Sequence, residues 1–177
     1  FKKKDSLVEH IEDCRRMNIE VVAPNVNMSE AEFAVRDGKI PFALTAIKGC
    51  GEGAALAIVA ARKAGGPFKD IFDFCQRVDS QQVSGGAIES LIKAGAMDSF
   101  GAKRAQLAAV VGKAMQCGAS TQADRRAGEK GLFDEVEDEQ TSAVAAMPDL
   151  PEWQEREKLG NEKEVLGYYL TSHPLAE

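Results

Sequence analysis

Apolar residues recur at helical spacing through most of this chain, and strand-like runs are confined to one short stretch near the start. Ser6 followed by Glu9 forms a capping box, and Leu7, Ile11 and Cys14 continue at helical spacing, predicting a helix to about Met17 that Asn18 ends. Ile19-Glu20-Val21-Val22 reads as a short strand stopped by Pro24. Phe33-Ala34-Val35 and residues 40–43 flank Arg36-Asp37-Gly38-Lys39, a pattern that predicts a β-hairpin. Pro41 lacks an amide proton, which puts its strand on an edge or leaves that position unpaired.

From Leu44 onward the pattern is helical. Leu44 and Ile47 form a short apolar face that Lys48-Gly49-Cys50-Gly51 breaks. Ala55, Ile58 and Val59 carry a new helix to Ala64, before Gly65-Gly66-Pro67. Phe68, Ile71, Phe72 and Cys75 predict a third short helix. A fourth starts near Gly86, buries Ile88, Leu91 and Ile92 and stops at Gly95. A longer one, entered through residues 99–101, buries Leu107, Val110, Val111 and Met115 and runs to about Gln116. Residues 118–148 lose the periodicity and have the composition of a mobile, solvated tether. They carry an acidic run from Asp134 to Glu139 and one large apolar pair, Leu132-Phe133, which has no core of its own to enter. After Pro148 and Pro151, Trp153, Leu159, Val165, Leu166 and Tyr169 mark a charged amphipathic helix. The expected organisation is a small α/β segment with a β-hairpin (1–43), a helical domain (44–117), a flexible acidic linker (118–148) and a C-terminal helix leading to a further domain (149–177). The fold class is mainly α.

Composition narrows the function classes. Of 177 residues, 44% are apolar and 28% charged, and no unbroken apolar run is long enough to cross a bilayer, so no membrane partner is expected. The chain begins at Phe1, and Lys2-Lys3-Lys4 lacks the apolar stretch and cleavage site of a signal peptide, so it reads as a piece of a longer cytoplasmic protein. Cys14, Cys50, Cys75 and Cys117 form no Cys-x-x-Cys pair and have no histidine at ligand spacing, which makes them reduced core fillers. His10 and His173 carry no local nucleophile signature. The net charge of -6 divides into +2 over residues 1–117 and -8 over residues 118–177. Affinity for nucleic acid comes from local cations, so this balance leaves room only for a small backbone-binding patch in the first part.

The strongest chemical signal is Ile47-Lys48-Gly49-Cys50-Gly51-Glu52-Gly53-Ala54-Ala55. Two glycines around one apolar residue let the chain reverse tightly and expose bare amides, and the helix that follows starts with unpaired N–H groups and a positive dipole end. That is a cradle for phosphate. Lys48 adds a cation, and Cys50 can point inward to pin the turn. A rival reading takes Gly49-x-Gly51-x-x-Ala54 as a dinucleotide fingerprint with Asp70 as the ribose acceptor. It requires a strand before the turn and a parallel strand after the helix, where the sequence shows helical spacing.

The turn has the helix-hairpin-helix pattern of proteins that hold the DNA backbone without reading bases. Its surroundings carry a wider resemblance: Cys14-Arg15-Arg16-Met17, Ala46-Ile47-Lys48-Gly49-Cys50-Gly51-Glu52-Gly53, Phe72-Asp73-Phe74-Cys75, Leu91-Ile92-Lys93-Ala94-Gly95-Ala96-Met97-Asp98 and Leu166-Gly167-Tyr168-Tyr169-Leu170-Thr171-Ser172-His173-Pro174-Leu175. In collinear order these resemble the bacterial replicative DNA polymerase III alpha subunit, a C-family polymerase, downstream of its palm. The resemblance implies the end of the fingers, a duplex-binding helix-hairpin-helix domain and a tether, with the catalytic carboxylates outside the chain. No catalytic residue, metal ligand or cofactor is therefore expected here, the divalent metal, Mg, belonging to the parent polymerase. Expected partners are primer-template duplex, the sliding clamp and, through the parent, other polymerase III holoenzyme subunits. The expected backbone contacts are Lys48, Gly49, Gly51, Glu52 and Gly53, with Lys93, Lys103 and Arg104 from the neighbouring helices.

Two departures from the family pattern stand out. The clamp-binding peptide in the tether aligns with Glu129-Lys130-Gly131-Leu132-Phe133, where Glu129 replaces the usual Gln, so the apolar anchors Leu132 and Phe133 remain and docking is expected to be weakened. A second turn, Gly95-Ala96-Met97-Asp98, lacks its second glycine, and Asp98 would repel phosphate, which makes that turn structural. A structural adaptor without DNA contact is the alternative from another class.

Overall fold

The computed structural model describes residues 2–128 and 147–170. Its elements, in chain order, are α1 (Lys2–Arg16), β1 (Val21–Val22), β2 (Ile40–Pro41), a 3-10 turn (Leu44–Ala46), α2 (Glu52–Gly65), α3 (Ile71–Arg77), α4 (Gly85–Lys93), a second 3-10 turn (Asp98–Phe100), α5 (Arg104–Ala127) and α6 (Glu155–Leu166). The protein is mainly α, with one two-stranded sheet.

The first helix ends as its sequence predicts. Asn18 takes a left-handed backbone (φ 57°), and the Ile19 amide reaches back to the Cys14 carbonyl at 2.8 Å. Its start differs, because α1 runs through Ser6 to Lys2, so Ser6 is an interior residue and not a cap.

The predicted β-hairpin is not formed as a ladder. Asp37 and Gly38 both have positive φ (51° and 76°), as a tight hairpin turn requires, but pairing stops at one antiparallel bridge between Arg36 and Lys39. The next hydrogen-bonded pair in that register would need an amide proton at position 41, where Pro41 has none. Residues 40–41 instead pair in parallel with Val21–Val22: the Ile40 and Phe42 amides donate to the Glu20 and Val22 carbonyls at 2.9 and 3.1 Å, and Pro41 sits between them with no donor needed.

Beyond this segment, α2, α3, α4 and α5 enclose a core in which Leu44, Ile47, Ile58, Ile71, Phe74, Leu91, Ile92 and Leu107 are buried. Local caps position the helices. The Asp70 side chain accepts from the Asp73 amide at 2.8 Å to start α3, and Ser84 accepts from Ala87 at 3.2 Å to start α4. On the other side of α2, the buried Arg62 guanidinium holds the carbonyls of Val26 (3.0 Å) and Ser29 (2.6 Å) and the Glu30 carboxylate (2.9 Å), tying the loop after β1 to the helical body.

The long helix α5 departs from expectation at its far end. It continues past Gln116 to Ala127, so ten residues predicted as tether are helical. Two contacts with α3 account for this. Gly118 lies so close to the Cys75 carbonyl that no side chain fits between them, and Gln122 donates to the Cys75 and Val78 carbonyls at 3.0 and 2.8 Å, capping the end of α3. The last helix, α6, packs back onto the body: Val165 and Leu166 enter the core, and the Tyr168 ring lies 5.9 Å from Phe42.

Candidate nucleic-acid interface

The glycine turn joins the first 3-10 turn to α2. The Cys50 amide donates to the Ile47 carbonyl at 3.0 Å and closes the reversal, and Gly49 adopts φ +93°, a conformation that disfavours any side chain. A Cβ at Gly49 would also come within 2.5 Å of Ser90 Oγ on α4, so the turn lies directly against that helix. Cys50 points inward and is buried, and desolvation pushes its thiol up to about 11, away from thiolate chemistry. Gly51 is the N-cap of α2 and provides no side-chain cap. Residues 48, 49, 51, 52 and 53 are exposed. The amides of Gly49, Gly51, Glu52 and Gly53 donate to no acceptor among the described residues. Lys48 is tied through its backbone amide to the Val165 carbonyl at 2.8 Å, while its ammonium pairs with no described carboxylate. Gln82 approaches from outside the turn, its side-chain oxygen 2.9 Å from where a Cβ on Gly53 would stand.

At the second turn, between α4 and α5, Gly95 is left-handed (φ +79°), Ala96 and Met97 are buried, and the Ala96 carbonyl accepts the Val26 amide at 2.9 Å. The basic residues here have internal partners. Arg104 grips both Asp98 oxygens, from Nε at 3.0 Å and from a terminal nitrogen at 2.8 Å, and donates to Glu162 at 2.9 Å. Burial works against its charge, but the hydrogen bonds and charges of Asp98 and Glu162 outweigh burial and leave its pKa raised. Its side chain is only 6% exposed, so the expectation that Arg104 touches a nucleic-acid backbone is corrected: the guanidinium is spent on an internal tie. Lys93 pairs with Glu164 at 3.1 Å, and the Lys103 ammonium donates to the Leu150 carbonyl at 3.2 Å. Asp98 is thus neutralised inside the fold and does not confront a phosphate.

Sequence reasoning missed Glu152. Its carboxylate accepts the amides of Arg104 (3.0 Å) and Ala105 (3.1 Å), the first turn of α5, and that of Trp153 at 2.9 Å. Partial burial raises its pKa, but these three amides outweigh it and hold the carboxyl below its ordinary range. The 47- and 48-residue separations leave no local signal by which the contact could be read. Glu129, Leu132 and Phe133 lie outside the described residues.

A 3-10 turn stands where the dinucleotide reading needs a strand, helix α3 follows α2, and Asp70 is a helix cap, so that reading is overturned. The turn, its uncapped helix and the second turn packed beside it define a helix-hairpin-helix unit. The family model described as a helix-hairpin-helix motif matches residues 18–107, half of the chain, and the chain belongs to that family. Its relatives carry a single name. It is similar to DNA polymerase III subunit alpha from Vibrio cholerae (38% identical over 98% of this chain), from Caulobacter vibrioides (40% over 98%) and from Thermus aquaticus (40% over 97%). The resemblance to that polymerase subunit holds across nearly all of the chain, which spans only 13–15% of the length of these relatives. Among the described residues no helix is long and apolar enough to cross a membrane.

Proposed function

We propose that this chain is the duplex-holding part of a replicative DNA polymerase III alpha subunit, and that it grips the sugar-phosphate backbone of primer-template DNA without reading sequence. The observation that carries this reading is the row of exposed amides at Gly49, Gly51, Glu52 and Gly53 with no acceptor among the described residues, at the positive end of an uncapped helix. Phosphate oxygens satisfy such donors, and amides carry no base information, so the grip is indifferent to sequence. Lys48 supplies the cation. Open space around Gly51, where a Cβ would meet nothing within 4 Å, leaves room for the approach of a strand. Glu52 contributes through its backbone while its side chain turns to solvent. Nucleotidyl transfer, and the divalent metal it needs, belong to the parent outside this chain. Lys93 and Lys103 are secondary contacts that must first leave Glu164 and the Leu150 carbonyl.

The test is a titration of the chain with a short duplex at several salt concentrations. Affinity is expected to fall steeply with salt, to be equal for unrelated sequences, and to collapse in Lys48→Glu and in Gly53→Asp. Binding that ignores both substitutions would make the chain a structural adaptor. Clamp docking through Leu132 and Phe133, weakened by Glu129, is a separate reading, supported by the two apolar anchors. It is tested by whether Leu132→Ala with Phe133→Ala abolishes binding to purified clamp while Glu129→Gln strengthens it.

A further inference from the structure

The two turns of the helix-hairpin-helix unit are in opposite states. At the first, the helix N-terminus is uncapped and its amides are exposed. At the second, one carboxylate, that of Glu152, takes both oxygens to the Arg104 and Ala105 amides at 3.0 and 3.1 Å, as a bound phosphate does at a helix N-terminus. The same returning segment supplies the other partners around that turn: Glu162 on Arg104, Glu164 on Lys93 and the Leu150 carbonyl on Lys103. Two of the three cations, Lys93 and Lys103, are held by single contacts at the protein surface. We infer that the N-terminus of α5 is a second backbone-phosphate site, held shut by the Glu152 carboxylate acting as an internal phosphate mimic. The inference rests on the reading of this unit as a binder of duplex DNA, and it adds that the second turn is masked in the chain as folded.

The physical case is competition for one set of donors. Two neighbouring amides at the start of a helix of 24 residues present a fixed fork to an anion, and carboxylate and phosphate oxygens fit it equally. With Glu152 in place, its charge repels an incoming phosphate and its oxygens fill the fork. With a neutral side chain there, the amides and the two surface lysines face solvent chemistry much like that of the first turn.

The experiment compares the full 177-residue chain with Glu152→Gln, Glu152→Ala and Glu155→Gln in duplex titrations across salt, with thermal melts to show that each variant is folded. Glu152→Gln keeps the shape of the side chain and one acceptor oxygen, so it preserves the fold if Ala does not. The expected result is binding tighter by about fivefold for Glu152→Gln, with a salt slope steeper by about 0.9, the signature of one more phosphate contact. Amide exchange at Arg104 and Ala105 should slow on adding DNA to that variant. Glu155→Gln removes the same charge from the same segment away from the fork and should leave the slope unchanged. Wild-type affinity that ignores Lys48, combined with a gain in Glu152→Gln, sinks the reading of the first turn and supports this one. No gain in a folded Glu152 variant, or an equal gain in Glu155→Gln, overturns the masked site and leaves the first turn untouched.

Discussion

Arg104 and Glu162, 58 residues apart in the chain, meet at 2.9 Å with side chains only 6% and 3% exposed. This pair locks α6 against the start of α5 and, through Asp98, against the second turn. A charge sealed in this way tolerates the loss of its partner badly, because the remaining ion has no water to turn to.

Arg104→Met should therefore cost about 3–5 kcal/mol, read as a lower midpoint in urea unfolding, since it strands the Glu162 carboxylate. Replacing both, Arg104→Met with Glu162→Leu, should recover most of the loss. Equal destabilisation in the single and double variants would show that the ion pair itself, and not the orphaned charge, holds the segments together.

Gly118→Ala should destabilise the chain by about 1–3 kcal/mol, because a methyl there collides with the Cys75 carbonyl backbone where α5 crosses α3. Gly112 lies on the same helix with open space around it, and Gly112→Ala should stabilise by about 0.5–1 kcal/mol through helix propensity. Thermal melts of the two variants should move in opposite directions.

Alkaline pH should weaken the fold from about pH 9 upward. Burial raises the Cys50 thiol from 9.0 to about 11 and the Cys75 thiol from 9.0 to about 12, and it raises the Tyr168 phenol as well. The folded state thus keeps protons that the unfolded chain has released, so stability is whole below the unfolded values and is lost as pH rises through the folded ones. Cys50→Ala together with Cys75→Ala should flatten the melting temperature between pH 9 and about 11, and an unchanged slope would assign the loss elsewhere.

Gln122→Ala should loosen the last three turns of α5, since it removes the donor that caps α3 at the Cys75 and Val78 carbonyls. The cost is about 1–2 kcal/mol, with faster amide exchange across residues 119–127 as the direct readout. Protection unchanged from wild type would mean that Gly118 packing alone carries the extension.

The helix-hairpin-helix turn was legible because its signal is local. Lys48 to Gly53 lie within six residues, and only a turn that needs positive φ and bare amides reads as Gly-x-Gly-x-Gly with an apolar residue turned inward. The cores of α2, α4 and α5 were legible for the same reason, since period-3.6 patterns are written along one segment. The β-hairpin expectation failed on one long-range fact. Pro41 blocks the hairpin ladder but leaves Ile40 and Phe42 free to pair with β1, and nothing near residue 41 announces a strand twenty residues upstream. The end of α5 failed likewise: residues 118–127 are polar and small, and they are helical because α3 lies against Gly118 and Gln122.

The amino-acid order alone determined the mainly helical character, the position of the glycine turn with its inward Cys50, the reduced state expected of the cysteines and the likeness to the polymerase subunit. These depend on contacts within a few residues or on collinear motifs. Only the tertiary structure decided which amides stay open and which are filled, and which cations are spent. Arg104, Lys93 and Lys103 look alike as basic residues on helices, and their fates were set by Glu162, Glu164 and Leu150, brought back by a segment more than 40 residues away, where side-chain electrostatics acts through space and leaves no trace along the chain.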